Sequence, residues 1–118
     1  MSVDSRKTFV KDLVRVVKRN YTDPDFDVIS MAAEMKISDR QLQRKVKTLT
    51  GQSPVQHLRQ YRLDKSLQYL REGVPVGEAA KAVGFSSHAY FTCCFKAKFG
   101  ITPSSTKWSQ ESAKMADY

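Results

Sequence analysis

Apolar residues along this chain recur at three- and four-residue spacing, with no β-hairpin signal between them, which predicts a succession of helices. Phe9, Val10, Leu13, Val16 and Val17 form the stripe of a first helix over residues 5–19. Asp4 is its expected N-cap, and Lys7, Lys11, Arg15 and Lys18 lie opposite the stripe. Asp27 caps a second helix from Val28 to Met35, with Phe26 and Met31 as a hydrophobic staple. Ser38 and Gln41 make the capping box of a third, whose buried stripe is Leu42, Val46 and Leu49 and whose stop is Gly51. Ser53–Pro54 opens a fourth helix, apolar at Leu58, Leu63, Leu67 and Leu70 and ended by Glu72–Gly73. Pro75 starts a short fifth that stops near Val83. Ser87 caps a sixth with Phe91, Phe95 and Phe99 buried, and Thr102–Pro103 starts a last one carrying Trp108. The expected fold is all-α, with about seven helices.

One stretch of this pattern occurs twice. At a constant offset Ser38, Leu42, Val46, Lys47, Gly51 and Pro54 match Ser87, Phe91, Phe95, Lys96, Gly100 and Pro103. Each copy follows a short helix and a tight turn, so each half reads as a helix-turn-helix whose second helix has an exposed face. The fourth helix, about 27 Å long at about 1.5 Å per residue, is a stiff spacer between the copies. The expected organisation is a first unit over 1–52, a linker helix over 53–73, a second unit over 74–110 and a frayed tail over 111–118.

Charge narrows the function. The chain carries a formal net charge of +8, and nine basic residues against Asp39 and Asp64 place +7 of it between Lys36 and Arg71. Such a segment favours a polyanion. Cys93 and Cys94 are adjacent, too close for an ordinary disulfide and without metal spacing, which fits a reducing compartment. No apolar run approaches the 18–20 residues or so of a membrane span, and the N-terminus lacks a signal-peptide core. A soluble, cytoplasmic protein is expected. Asp23, Asp25, Asp27 and Glu34 have the spacing of a calcium loop. However, Val28 stands where that loop needs Gly, and Met31, Ala32 and Ala33 read as helix. There are no paired carboxylates and no nucleophile set; Ser53, four residues before His57, is better explained as a cap. No enzymatic activity, metal or cofactor is expected.

The exposed face of the third helix supplies the positive reading. Arg40, Gln43, Arg44 and Lys47 fall at i, i+3, i+4 and i+7, and all are hydrogen-bond donors. In a major groove Arg pairs bidentately with guanine and Gln with adenine, while Lys reaches phosphate. The corresponding face of the second copy is His88, Ala89, Thr92, Cys93 and Lys96.

The chain resembles the DNA-binding domain of the AraC/XylS family of bacterial transcription regulators over about residues 10–108. The resemblance rests on Met31–Ala32, Ser38-x-x-x-Leu42-x-Arg44, Pro54, Arg62–Leu63, Leu70, Ala80, Val83–Gly84–Phe85, Ser87, Tyr90–Phe91, Phe95–Lys96, Phe99–Gly100 and Pro103. It implies two helix-turn-helix units whose reading helices, 38–50 and 87–99, enter successive major grooves of double-stranded DNA. Base-contact candidates are then Arg40, Gln43, Arg44, His88, Ala89, Thr92 and Cys93. Phosphate-contact candidates are Lys36, Ser38, Lys47, Ser87 and Lys96. Cys93 stands where the family usually carries a basic residue, Val46 where Phe is usual, and Ser66 where Ala is usual. The first unit is therefore expected to carry most base specificity and the second mainly to dock.

The resemblance further implies a cytoplasmic, nucleoid-associated activator and an output domain of a larger or two-component regulator. RNA polymerase is a candidate partner, and dimerisation would lie in a domain absent from this chain. The alternative is a protein-interaction module that docks a polymerase subunit or another regulator. A basic amphipathic membrane helix over residues 5–19 is the weaker reading, because its apolar face is more simply core.

Overall fold

The computed structural model describes residues 3–105, and all regular structure among them is helical. Six helices follow in order: α1 (Val3–Asn20), α2 (Val28–Met35), α3 (Asp39–Thr50), α4 (Pro54–Arg71), α5 (Val76–Ala82) and α6 (His88–Phe99). Residues 103–105 are also helical, where the sequence predicts a seventh helix. Trp108 and the tail over 111–118 lie outside the described residues. One expectation fails at the start: α1 begins at Val3, so Asp4 lies inside the helix and is not its cap.

Contacts divide the chain into two compact units, one up to Tyr61 and one from Arg62, with the division inside α4. In the first unit α1 contributes Leu13, Val16 and Val17, α2 contributes Met31 and Ala32, and α3 contributes Leu42 and Val46. Phe26 and Leu58 complete this core, and Tyr21 meets Tyr61 edge-on at 5.2 Å. In the second unit Leu63, Leu70, Ala79, Ala80 and Val83 are buried with an aromatic run. There Phe85 meets Phe91 at 5.1 Å, and Phe91 meets Phe95 at 5.7 Å. At the matching positions the first core holds Val46 and the second the larger Phe95, both fully buried. Ser66 is fully buried, and its hydroxyl donates to the Leu63 carbonyl at 2.6 Å, so burial leaves no unpaired donor.

The acidic loop before α2 is closed by its own side chains. Asp23 accepts the Asp25 amide at 2.9 Å, and Asp27 accepts the Ser30 amide at 2.9 Å as the N-cap of α2. Those bonds from the Ser30 amide and hydroxyl hold the Asp27 carboxyl below the usual carboxylate range.

Candidate nucleic-acid interface

Helices α3 and α6 are held at each end by similar local chemistry. Ser38 accepts the Gln41 amide at 3.1 Å while Gln41 accepts the Ser38 amide, a complete capping box. Ser87 accepts the Tyr90 amide at 3.1 Å, with Tyr at the position where the first helix carries the Gln of its capping box. Gly51 and Gly100 end α3 and α6 in the left-handed region, with φ of 77° and 76°.

The turn that aims each helix differs between the units by one residue. In the first, the Lys36 amide bonds the Ala33 carbonyl and the Ile37 amide bonds the Ala32 carbonyl. In the second, Gly84 bonds Lys81 and Phe85 bonds Ala80. The matched closures are 48 residues apart, whereas the helices they precede are 49 apart; Ser86 is the inserted residue. The first turn also places Lys36, a residue with a Cβ, at φ 59° and ψ 37°, where the second uses Gly84. Nothing in the spacing of the repeat reveals this, because Lys has no left-handed preference.

On α3, Arg40, Gln43, Arg44 and Lys47 are all exposed. Among the described residues neither Arg40 nor Arg44 has an ion-pair partner, so both guanidinium forks are free to bind. Lys47 is tied: its ammonium donates to the Gly51 carbonyl at 3.0 Å, a favourable place for a cation at a helix C-terminus. Ser38 has its backbone amide committed to Gln41, which leaves its hydroxyl proton for a further acceptor.

On α6, His88, Ala89, Cys93 and Lys96 are exposed, and Cys93 is a free thiol. Thr92 is half-buried and its hydroxyl donates to the His88 carbonyl at 3.0 Å, so toward a base it is left as an acceptor. Lys98 pairs with Asp64 at 3.2 Å. Tyr90 is 51% exposed, and its ring lies 6.1 Å from that of Phe85. Sequence reasoning placed it among the matched positions without counting it as a contact candidate. The first face therefore presents two free guanidinium groups. The second presents one lysine, a histidine and small or neutral side chains.

Several apolar side chains depart from the expected buried stripes. Leu49, Leu67 and Phe99 are half-buried. Among the described residues, no helix is long and apolar enough to cross a membrane and no group of three metal-ligating side chains converges.

Residues 31–108 match the family described as helix-turn-helix domain. Over 104 residues the chain is 31% identical to histidine kinase P4 of Formosa agariphila, covering 87% of this chain and 7% of that protein. It is 30% identical over 97 residues to the HTH-type transcriptional regulator CdhR of Pseudomonas aeruginosa, covering 80% of this chain and 29% of that one. The chain thus spans less than a third of the length of either relative. The crystal structure of the DNA-binding domain of AdpA in complex with a target DNA superposes with a TM-score of 0.78 at 26% identity. That match covers 86% of this chain and 95% of the AdpA domain.

Proposed function

Because the chain belongs to the helix-turn-helix family of AraC-type transcription regulators, we propose that it binds double-stranded DNA sequence-specifically, with α3 and α6 each entering a major groove. The observation that carries this reading is the exposed row of Arg40, Gln43 and Arg44 on a helix capped at both ends. Caps at both ends hold the helix backbone, and so the directions in which these side chains leave it, before DNA arrives, which leaves only their rotamers to be ordered on binding. Arg40, Gln43 and Arg44 read base edges. Lys36, Ser38, Lys47, Ser87 and Lys96 hold phosphates, Lys47 by giving up its bond to Gly51. His88, Ala89, Thr92 and Cys93 face bases with little discriminating chemistry, so the second unit mainly docks.

This binding is non-enzymatic and takes place in the cytoplasm, at the nucleoid. The match to a small part of histidine kinase P4 supports an output-domain role in a larger or two-component regulator, dimerised through another domain. In an activator the same reading includes RNA polymerase as a second partner. Selection from a random duplex pool, followed by anisotropy titrations at several salt concentrations, tests the reading. One preferred site is expected, with log affinity falling linearly in log salt by about 0.9 per neutralised phosphate. Equal binding to all duplexes, or salt-independent binding, contradicts it.

A further inference from the structure

Beside the reading face, between α1 and α3, lies an open groove of about 620 Å³. That is the size of a small-molecule site, within a usual range of about 300–1,000 Å³. Its floor is apolar, built by Phe9 of α1 and Leu49 of α3, both half-buried. Its rim is cationic: Arg6, Arg44 and Lys45 line it, and the Lys45 ammonium sits over the Phe9 ring at 5.5 Å from the centroid. Among the described residues the one acidic group in the lining, Asp12, already accepts a charged hydrogen bond from Arg15 at 2.8 Å. Local charge therefore favours an anion, and the floor favours an apolar body attached to it. A bare phosphate has no use for Phe9 and Leu49.

We propose that this groove binds an apolar organic monocarboxylate, its carboxylate against Lys45 and Arg44 and its apolar body on Phe9 and Leu49. Occupancy engages Arg44 and so competes with base reading. That second step rests on the DNA-binding reading above; the binding site itself does not.

The test titrates naphthalene-1-carboxylate into the full chain labelled with ¹⁵N, with naphthalene-1-methanol and acetate as separate arms. Expected is saturable binding by the acid with a Kd of about 1 mM or tighter. Amide shifts should be confined to residues 5–12 and 44–49, with the alcohol at least about tenfold weaker and acetate inert. Thr48→Trp, which fills the groove from an exposed position, should weaken binding by about tenfold or more while the far-UV spectrum and melting profile are kept. Arg6→Glu should weaken it without filling space. No saturation, equal binding of the alcohol, shifts elsewhere, or full binding by folded Thr48→Trp each overturns the site. Competition with a selected duplex is read separately. Saturable binding that leaves DNA affinity unchanged refutes the Arg44 step alone, whereas failure of the titration refutes the site whether or not DNA binds.

Discussion

Replacing Lys36 by Gly should stabilise the first unit. Lys36 closes α2 at φ 59°, and its backbone amide makes the closing bond to α2 carbonyls whatever the side chain. The side chain is exposed and has no ion pair among the described residues, so its loss removes no folded-state contact. An L-residue in the left-handed region costs about 1–2 kcal/mol through Cβ crowding. Gly returns about 0.4–1 kcal/mol of this through its greater freedom in the unfolded chain. The balance is a gain of about 1 kcal/mol. Urea unfolding followed by circular dichroism reads it as a raised midpoint at unchanged slope. The reverse change checks the scale: at Gly51 and Gly100, φ 77° and 76°, an added Cβ meets nothing within 4 Å. Ala at either place should therefore cost about 1 kcal/mol from backbone strain alone. If Lys36→Gly lowers the midpoint while Gly51→Ala also lowers it, the turn is held by the lysine side chain and the strain argument is wrong.

Other outcomes follow from the caps and the core. Ser38→Ala and Ser87→Ala should each destabilise their own unit by about 1 kcal/mol, because each removes one side-chain oxygen that accepts a backbone amide at 3.1 Å, while the Gln41 side chain keeps its bond to the amide of residue 38; urea midpoints compare them. His57 has its Nδ1 buried without a partner among the described residues, and burial pushes its pKa below the ordinary value of about 6.5. As pH falls through about 6.5, the unfolded chain takes the proton before the folded one, so stability is full above that value and falls until the folded value is passed. His57→Phe should flatten this part of the pH profile, and a profile parallel to the native one contradicts the burial argument. Ser66→Ala should change the midpoint of the second unit little, because the lost bond is local and the core gains an apolar group.

Much of the fold was legible because its signals are local. Asp27, Ser38 and Ser87 cap, Gly51 and Gly100 stop, and Leu42, Val46, Phe91 and Phe95 are fully buried, each within one helical turn of the residues that dictate it. Asp4 falls inside the helix because sequence signals place a helix start only to within a residue or two. Lys36 in the left-handed region was hidden because its residue type argues against it. Ser86 is hidden because the matching positions of the repeat begin only at the caps. The row of Arg40, Gln43 and Arg44 could be read from helical spacing. That Lys47 folds back on Gly51, and that Leu49 borders a groove, depends on where a terminus and a neighbouring helix lie, which periodicity does not specify.

The central claim is that one copy of a doubled scaffold does most of the reading. It is tested by repeating the duplex selection with Arg44→Ala and with Cys93→Ala, matched positions on α3 and α6. Arg44→Ala should flatten preference at its base by about 1–3 kcal/mol, roughly 5- to 150-fold. Cys93→Ala should leave the profile within about twofold, as for an ordinary surface change. Equal flattening by the two variants, or a larger effect from Cys93→Ala, would contradict the account.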